Sequence, residues 1–194
     1  MENRILIMGD ELFGEQGEAA VRCFEMLLCQ RPNRPMQFSV NAPVLLSMPQ
    51  LMARASADII GKQAGRIVLG LGLGEMKRER CDAAKVAESY RELVTEIAKK
   101  TQAQIHLLTI PKGLLPEIED QVDALNRSIE GFAAIAPERI KIMDFARHAE
   151  VFKEKQAERG KFARSIYSDD AKPTSLCLTL LSLFMQDCIL QTMN

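Results

Sequence analysis

Short apolar runs alternate along the chain with longer stretches in which apolar residues recur every three or four positions. The short runs are Arg4 to Met8, Gln37 to Val40, Arg66 to Leu71, Gln104 to Thr109 and Arg139 to Met143, built mostly from Ile, Val, Leu and Met. Strands covered by helices on both faces have no need to alternate polar and apolar positions, so these runs predict a parallel sheet. From Ala83, apolar residues recur at Val86, Ala87, Tyr90, Leu93, Val94 and Ile97; from Ile118 they recur at Val122, Leu125, Ile129, Phe132 and Ala136. That period places one apolar stripe along each of two helices packed on the sheet. Further helices are expected from about Gly17 to Cys29, Met48 to Ile60, His148 to Glu158 and Thr174 to Thr192, with Pro32, Pro35, Pro43, Pro111, Pro116 and Pro173 between elements. The alternation predicts an α/β domain spanning residues 1–194, with right-handed crossovers and strand order 2-1-3-4-5.

Composition narrows the function. The 194 residues carry 25 basic and 26 acidic side chains and are 47% hydrophobic, which is ordinary for a soluble globular chain long enough to bury a core. A net charge of −1 without a basic run argues against a nucleic-acid surface, which would neutralise many phosphates. Cys23, Cys29, Cys81, Cys177 and Cys188 are scattered, without the spacing of a zinc site or a disulfide framework. The run Ile5 to Met8 is too short for a signal peptide, so the expected compartment is the cytoplasm. The most apolar segment, Leu176 to Met185, contains Thr179 and Ser182 and meets Asp187, so it predicts a buried terminal helix and no membrane span.

In an open parallel sheet the ligand crevice lies beyond the carboxyl ends of the strands. The loops there read Gly9-Asp10-Glu11-Leu12-Phe13-Gly14, Asn41-Ala42-Pro43, Gly72-Leu73-Gly74-Glu75 and, before the last helix, Ser168-Asp169-Asp170-Ala171-Lys172-Pro173-Thr174. In order and position they resemble the sequence blocks of the SGNH, or GDSL-type, hydrolases, a family of esterases and lipases. The resemblance covers nearly the whole chain and implies a flavodoxin-like three-layer α/β/α sandwich. It also marks departures. Where the family has its nucleophile, in Gly-Asp-Ser-Leu, this chain has Glu11. Where a glycine N–H joins the oxyanion hole, it has Pro43, which has no N–H. The Asn donor of the third block is replaced by Gly74. The last block, Asp-x-x-His-Pro, keeps its acid as Asp169 and replaces the base by Lys172.

Acyl transfer of the family type needs a hydroxyl nucleophile, a base near neutral pH and donors aimed at the developing oxyanion. Each part is altered, and loss of a single oxyanion donor alone costs roughly 10²–10³ in rate. The expectation is a pseudoenzyme that binds a protein partner or a small ligand, with no cofactor. Glu11 and Lys172 are charge-complementary, and an ion pair within roughly 4 Å would plug the former site.

Two other readings use the same loops. Asp10, Glu11, Glu75, Asp169 and Asp170 could converge as a divalent-metal site, although hydrogen bonding of the carboxylates and the charge of Lys172 favour no metal. A displaced nucleophile at Ser39, Ser47 or Ser168 would restore a serine esterase, but none of these follows the first strand at a helix start. A phospho-accepting reading fails because the third strand ends in Leu71-Gly72. Among the remaining residues, His106 reads as a packed, hydrogen-bonded core histidine, and His148 as a solvated residue at a helix start. Gly70, Gly72 and Gly74 lack phosphate-loop spacing, and Lys153 to Lys161 reads as a solvated helix end. The methionines, including Met26, Met36, Met48 and Met52, read as core filler, although exposure near Met48 and Met52 would suit a binding surface.

Overall fold

The computed structural model describes residues 4–10, 13, 18–29, 37–41, 47–78, 82–160 and 163–192. Five strands, β1 (Arg4–Gly9), β2 (Gln37–Asn41), β3 (Arg66–Gly70), β4 (Gln104–Leu108) and β5 (Ile140–Met143), form one sheet in the order β2-β1-β3-β4-β5. Every pairing is parallel. The helices are α1 (Glu18–Cys29), α2 (Met48–Asp58), a single turn α3 (Leu73–Met76), α4 (Ala83–Lys100), α5 (Glu119–Gly131), α6 (Phe145–Ala157) and α7 (Ser175–Gln191). The expected α/β/α sandwich and strand order are therefore present.

The helices sort into two layers. α2, α4 and α5 pack side by side, and α1 and α6 flank α7. Phe24 of α1 meets Phe38 of β2 edge to face at 5.7 Å, and Arg66 of β3 donates from Nη2 to the Thr192 carbonyl beyond α7 at 3.3 Å. In the sheet register Phe38 pairs with Ile5 and Ile5 with Arg66, so both contacts identify the face covered by α1 and α7. On that face the ring of Phe13 lies across the last residues of β1 and β3. A Cβ on Gly9 or Gly70 would stand 2.1 or 2.2 Å from it, so both positions need glycine.

Boundaries moved where caps decide them. α6 starts at Phe145, three residues before His148, because the Asp144 carboxylate accepts from Arg147 N at 3.1 Å. Asp82 and Thr174 cap α4 and α7 in the same way. Arg139 stays outside β5; its guanidinium donates to the Ala98 and Thr101 carbonyls at the end of α4, at 2.9 and 2.8 Å. Met48 is buried and Met52 packs against the core, so that stretch is no exposed binding surface; among the described residues the exposed methionine is Met26. Met36 lies outside the described residues.

Candidate functional site

The carboxyl edge is closed by a carboxylate. Asp10, which follows β1, is 6% exposed, and its Oδ2 accepts from Gly72 N at 2.8 Å and Gly74 N at 2.9 Å. One side chain thus ties the loop after β1 to the loop after β3. Gly72 makes the turn possible: its φ of 111° is left-handed, a conformation that costs a side-chain-bearing residue far more. Glu75 is engaged at the start of α2. Its carboxylate accepts from Met48 N at 2.7 Å and pairs with Arg78 at 3.0 Å. A negative charge there suits the helix dipole.

The last loop folds on itself. Ser168 N donates to the Lys172 carbonyl at 2.9 Å, Lys172 N to Ser168 Oγ at 3.1 Å, and Ala171 takes a positive φ of 56°. The Lys172 ammonium and the Ser168 hydroxyl both bind the Asp170 carboxylate. Lys172 is the larger cause of a carboxyl pKa held below its ordinary value. Asp169 is exposed. The ring of Tyr167 fixes this loop, because it lies where a Cβ on Gly113 would be 2.2 Å away. Glu11 and Pro43 lie outside the described residues, and so does the expected Glu11–Lys172 pair.

Two edge residues, Asp144 and Asn126, were not singled out in the sequence, and Thr109 entered only the phospho-accepting reading, as the end of the fourth strand. Thr109 Oγ1 donates to Asp144 at 3.0 Å and accepts from Ala146 N at 2.9 Å, joining β4 to the start of α6. Asn126 grips the Ile110 backbone through two bonds of 2.8 Å. Its signal was available, since it is a polar residue within the inward stripe between Val122 and Ile129.

The other nucleophiles and bases stand apart. Ser39 lies within β2; Ser47 donates through N and Oγ to Gln50 at the start of α2, at 2.8 and 3.2 Å. Of the two histidines, His106 is 1% exposed inside β4. It is buried as expected, but its Nε2 has no hydrogen-bond partner among the described residues, which corrects the hydrogen-bonded reading. His148 is half-buried rather than solvated: α6 starts early enough to turn its ring onto Phe184 at 4.7 Å and Phe145 at 6.4 Å. Among the described residues no three His, Cys, Asp or Glu side chains are grouped to hold a metal ion. No described helix is long and apolar enough to cross a membrane.

The sequence matches no family model and no curated protein. Solved structures share the fold. An acetyl xylan esterase superimposes with a TM-score of 0.77 at 14% identity, covering 96% of this chain and 99% of its own. A lipase/acylhydrolase from Enterococcus faecalis gives 0.76 at 14% identity, covering 96% and 95%. An acetylxylan esterase from Geobacillus stearothermophilus gives 0.70 at 15% identity, covering 98% and 95%.

Proposed function

We propose that this chain is a non-catalytic domain on the SGNH/GDSL hydrolase fold, acting as a binding module for a protein partner or small ligand at its carboxyl edge. The observation that carries the reading is the engagement of Lys172, the residue that the sequence resemblance aligns with the family's general base. Its ammonium is bound to Asp170 two residues away, so the amine is engaged within its own loop and is not paired with any serine among the described residues. Gly74 supports it further: it has no side chain to offer an oxyanion, and its N–H is directed to Asp10. Neither histidine is hydrogen-bonded to Ser39, Ser47 or Ser168 among the described residues. The free thiols of Cys23, Cys177 and Cys188 suit the cytoplasm.

The competing reading is a serine esterase with a displaced nucleophile, favoured by the activities named for the proteins that share the fold. One experiment separates the two: hydrolysis of p-nitrophenyl acetate together with fluorophosphonate labelling of the full chain. The binding-module reading expects turnover at the blank rate and no labelled serine. It also expects the double change Glu11→Ser with Lys172→His to give little or no esterase activity, because Pro43 and Gly74 would still leave the oxyanion hole short of donors. Turnover abolished by one Ser→Ala change would establish the esterase instead.

A further inference from the structure

The sheet face under α1, α6 and α7 carries polar groups that the carboxyl edge does not use. The register places Arg66 of β3, Gln104 and His106 of β4 and Lys141 of β5 on that one face. His106 is 1% exposed at mid-strand. Its Nε2 and the Gln104 Oε1 are buried without a hydrogen-bond partner among the described residues. On the same face lies α7, a helix apolar on nearly every side whose one charged residue is Asp187, tied at its far end to Arg66 through the Thr192 carbonyl.

We propose that His106 is an acid-sensitive catch, which lets α7 stay docked while the imidazole is neutral and releases that helix when the imidazole takes a proton. A proton on His106 would place a cation in the buried layer between the sheet and these helices, with no carboxylate buried there among the described residues to receive it. The charged groups that act on it are Arg66 from β3 and Lys141 from β5, both cations. The titratable and polar groups that α6 and α7 bury are Gln156, Ser182 and the Cys177 thiol, and between the two helices His148, packed on Phe184, and Cys188 are half-buried; none of these is a carboxylate. From α1, the buried described side chains are Val21 and Phe24. Asp187 is exposed. Burial first, then Arg66 and Lys141, accordingly lower the imidazole pKa from 6.5 to about 4.

The helix yields before the strand because the two are held differently. β4 is fixed by hydrogen-bonded ladders to β3 and β5. α7 makes no ladder; packing and, at its far end, the Arg66 bond to the Thr192 carbonyl are among the contacts that hold it. A released helix can hydrate the imidazolium, so acid favours the released state by linkage.

Cys177, 0% exposed on the inner side of α7, reports release directly. The full chain is labelled with 4,4′-dithiodipyridine from pH 7.5 to 4.5, and the Cys177 rate is read by peptide mass spectrometry against an unfolded peptide control. The wild-type rate relative to control should rise by roughly tenfold or more, while hydrogen exchange at β1, β3 and β4 stays slow. His106→Gln should abolish the rise. Lys141→Gln, a change at an exposed side chain, should shrink it by removing one neighbouring cation, and serves even if the first variant folds poorly. A flat wild-type profile, a rise unchanged in both variants, or simultaneous loss of protection in the strands would overturn the proposal.

Discussion

The two faces of the sheet are built from the same five strands and yet bury different chemistry. Under α2, α4 and α5 the strands present Leu6, Met8, Ile67, Leu69, Ile105, Leu107 and Ile140, each no more than 1% exposed. Under α1, α6 and α7 they present Ile5, Ile7 and Val68, but also Arg66, Gln104, His106 and Lys141. On the first face even the polar group is satisfied: the buried Tyr90 hydroxyl donates to the Leu69 carbonyl at 3.1 Å, and burial holds that phenol well above its ordinary pKa. The first face is where stability resides, and the second is where the fold tolerates groups that water or acid can reach when a helix shifts.

Adjacent residues of β4 test the contrast most sharply. Leu107→Ala removes a fully buried side chain from the first face and should cost about 2–5 kcal/mol, measured by urea unfolding at pH 7. Next to it, His106→Leu deletes a buried polar group without a partner on Nε2 and should leave stability unchanged or raised at pH 7. A large loss from both would mean that the faces are energetically alike.

Acid should reveal the same asymmetry. The native pKa of His106 is depressed, so as pH falls from 6.5 towards about 4 the unfolded chain binds the proton first. Stability is then complete above pH 6.5 and is lost by about 1.4 kcal/mol per unit in that window. Unfolding curves of wild type and His106→Leu should diverge over this range and run parallel above it.

A third test lies at the join of the second face and the edge. Gly70→Ala would set a Cβ 2.2 Å from the Phe13 ring, an overpacking expected to cost about 1–3 kcal/mol. Phe13→Leu should recover part of that loss in a double-mutant cycle, a coupling that independent sites would not show.

The strands were legible because coverage on both faces left nearly continuous apolar runs, and the long helices because their stripes obey one period. The asymmetry of the faces was present in the alternation Gln104-x-His106, but a pattern cannot say which helix will cover which side. Glu75 shows the limit more plainly. In the sequence it is one more carboxylate of a crevice loop; in the fold it caps α2, whose first residue lies 27 positions away. Asp10 likewise reads as a site carboxylate, and its bonds to Gly72 and Gly74 span more than sixty positions. Such pairings are set by tertiary register, which local pattern does not encode.

Asp10 should accordingly behave as a structural brace. Asp10→Asn keeps an oxygen for the two glycine N–H groups but removes the charge that strengthens both bonds, so a loss of about 1 kcal/mol is expected. Thermal unfolding would show it.

The smallest effect belongs to Lys172. The side chains of Lys172 and Asp170 are both more than half exposed, a setting in which solvent screening removes most of the Coulombic gain. The turn itself rests on the Ser168 N to Lys172 O bond and on Lys172 N to Ser168 Oγ, which use the lysine backbone and survive truncation of its side chain. Lys172→Ala should therefore leave the melting temperature where it was, and the Asp170 carboxyl, followed by NMR, should titrate at higher pH once its ammonium partner is gone. The Asp170 depression is relieved as pH falls through its native pKa, so any contribution to stability lies above that point and disappears in acid. A melting temperature lowered by several degrees would show that the side chain of Lys172 reaches past Asp170 to hold the carboxyl edge together, as the expected pairing with Glu11 requires.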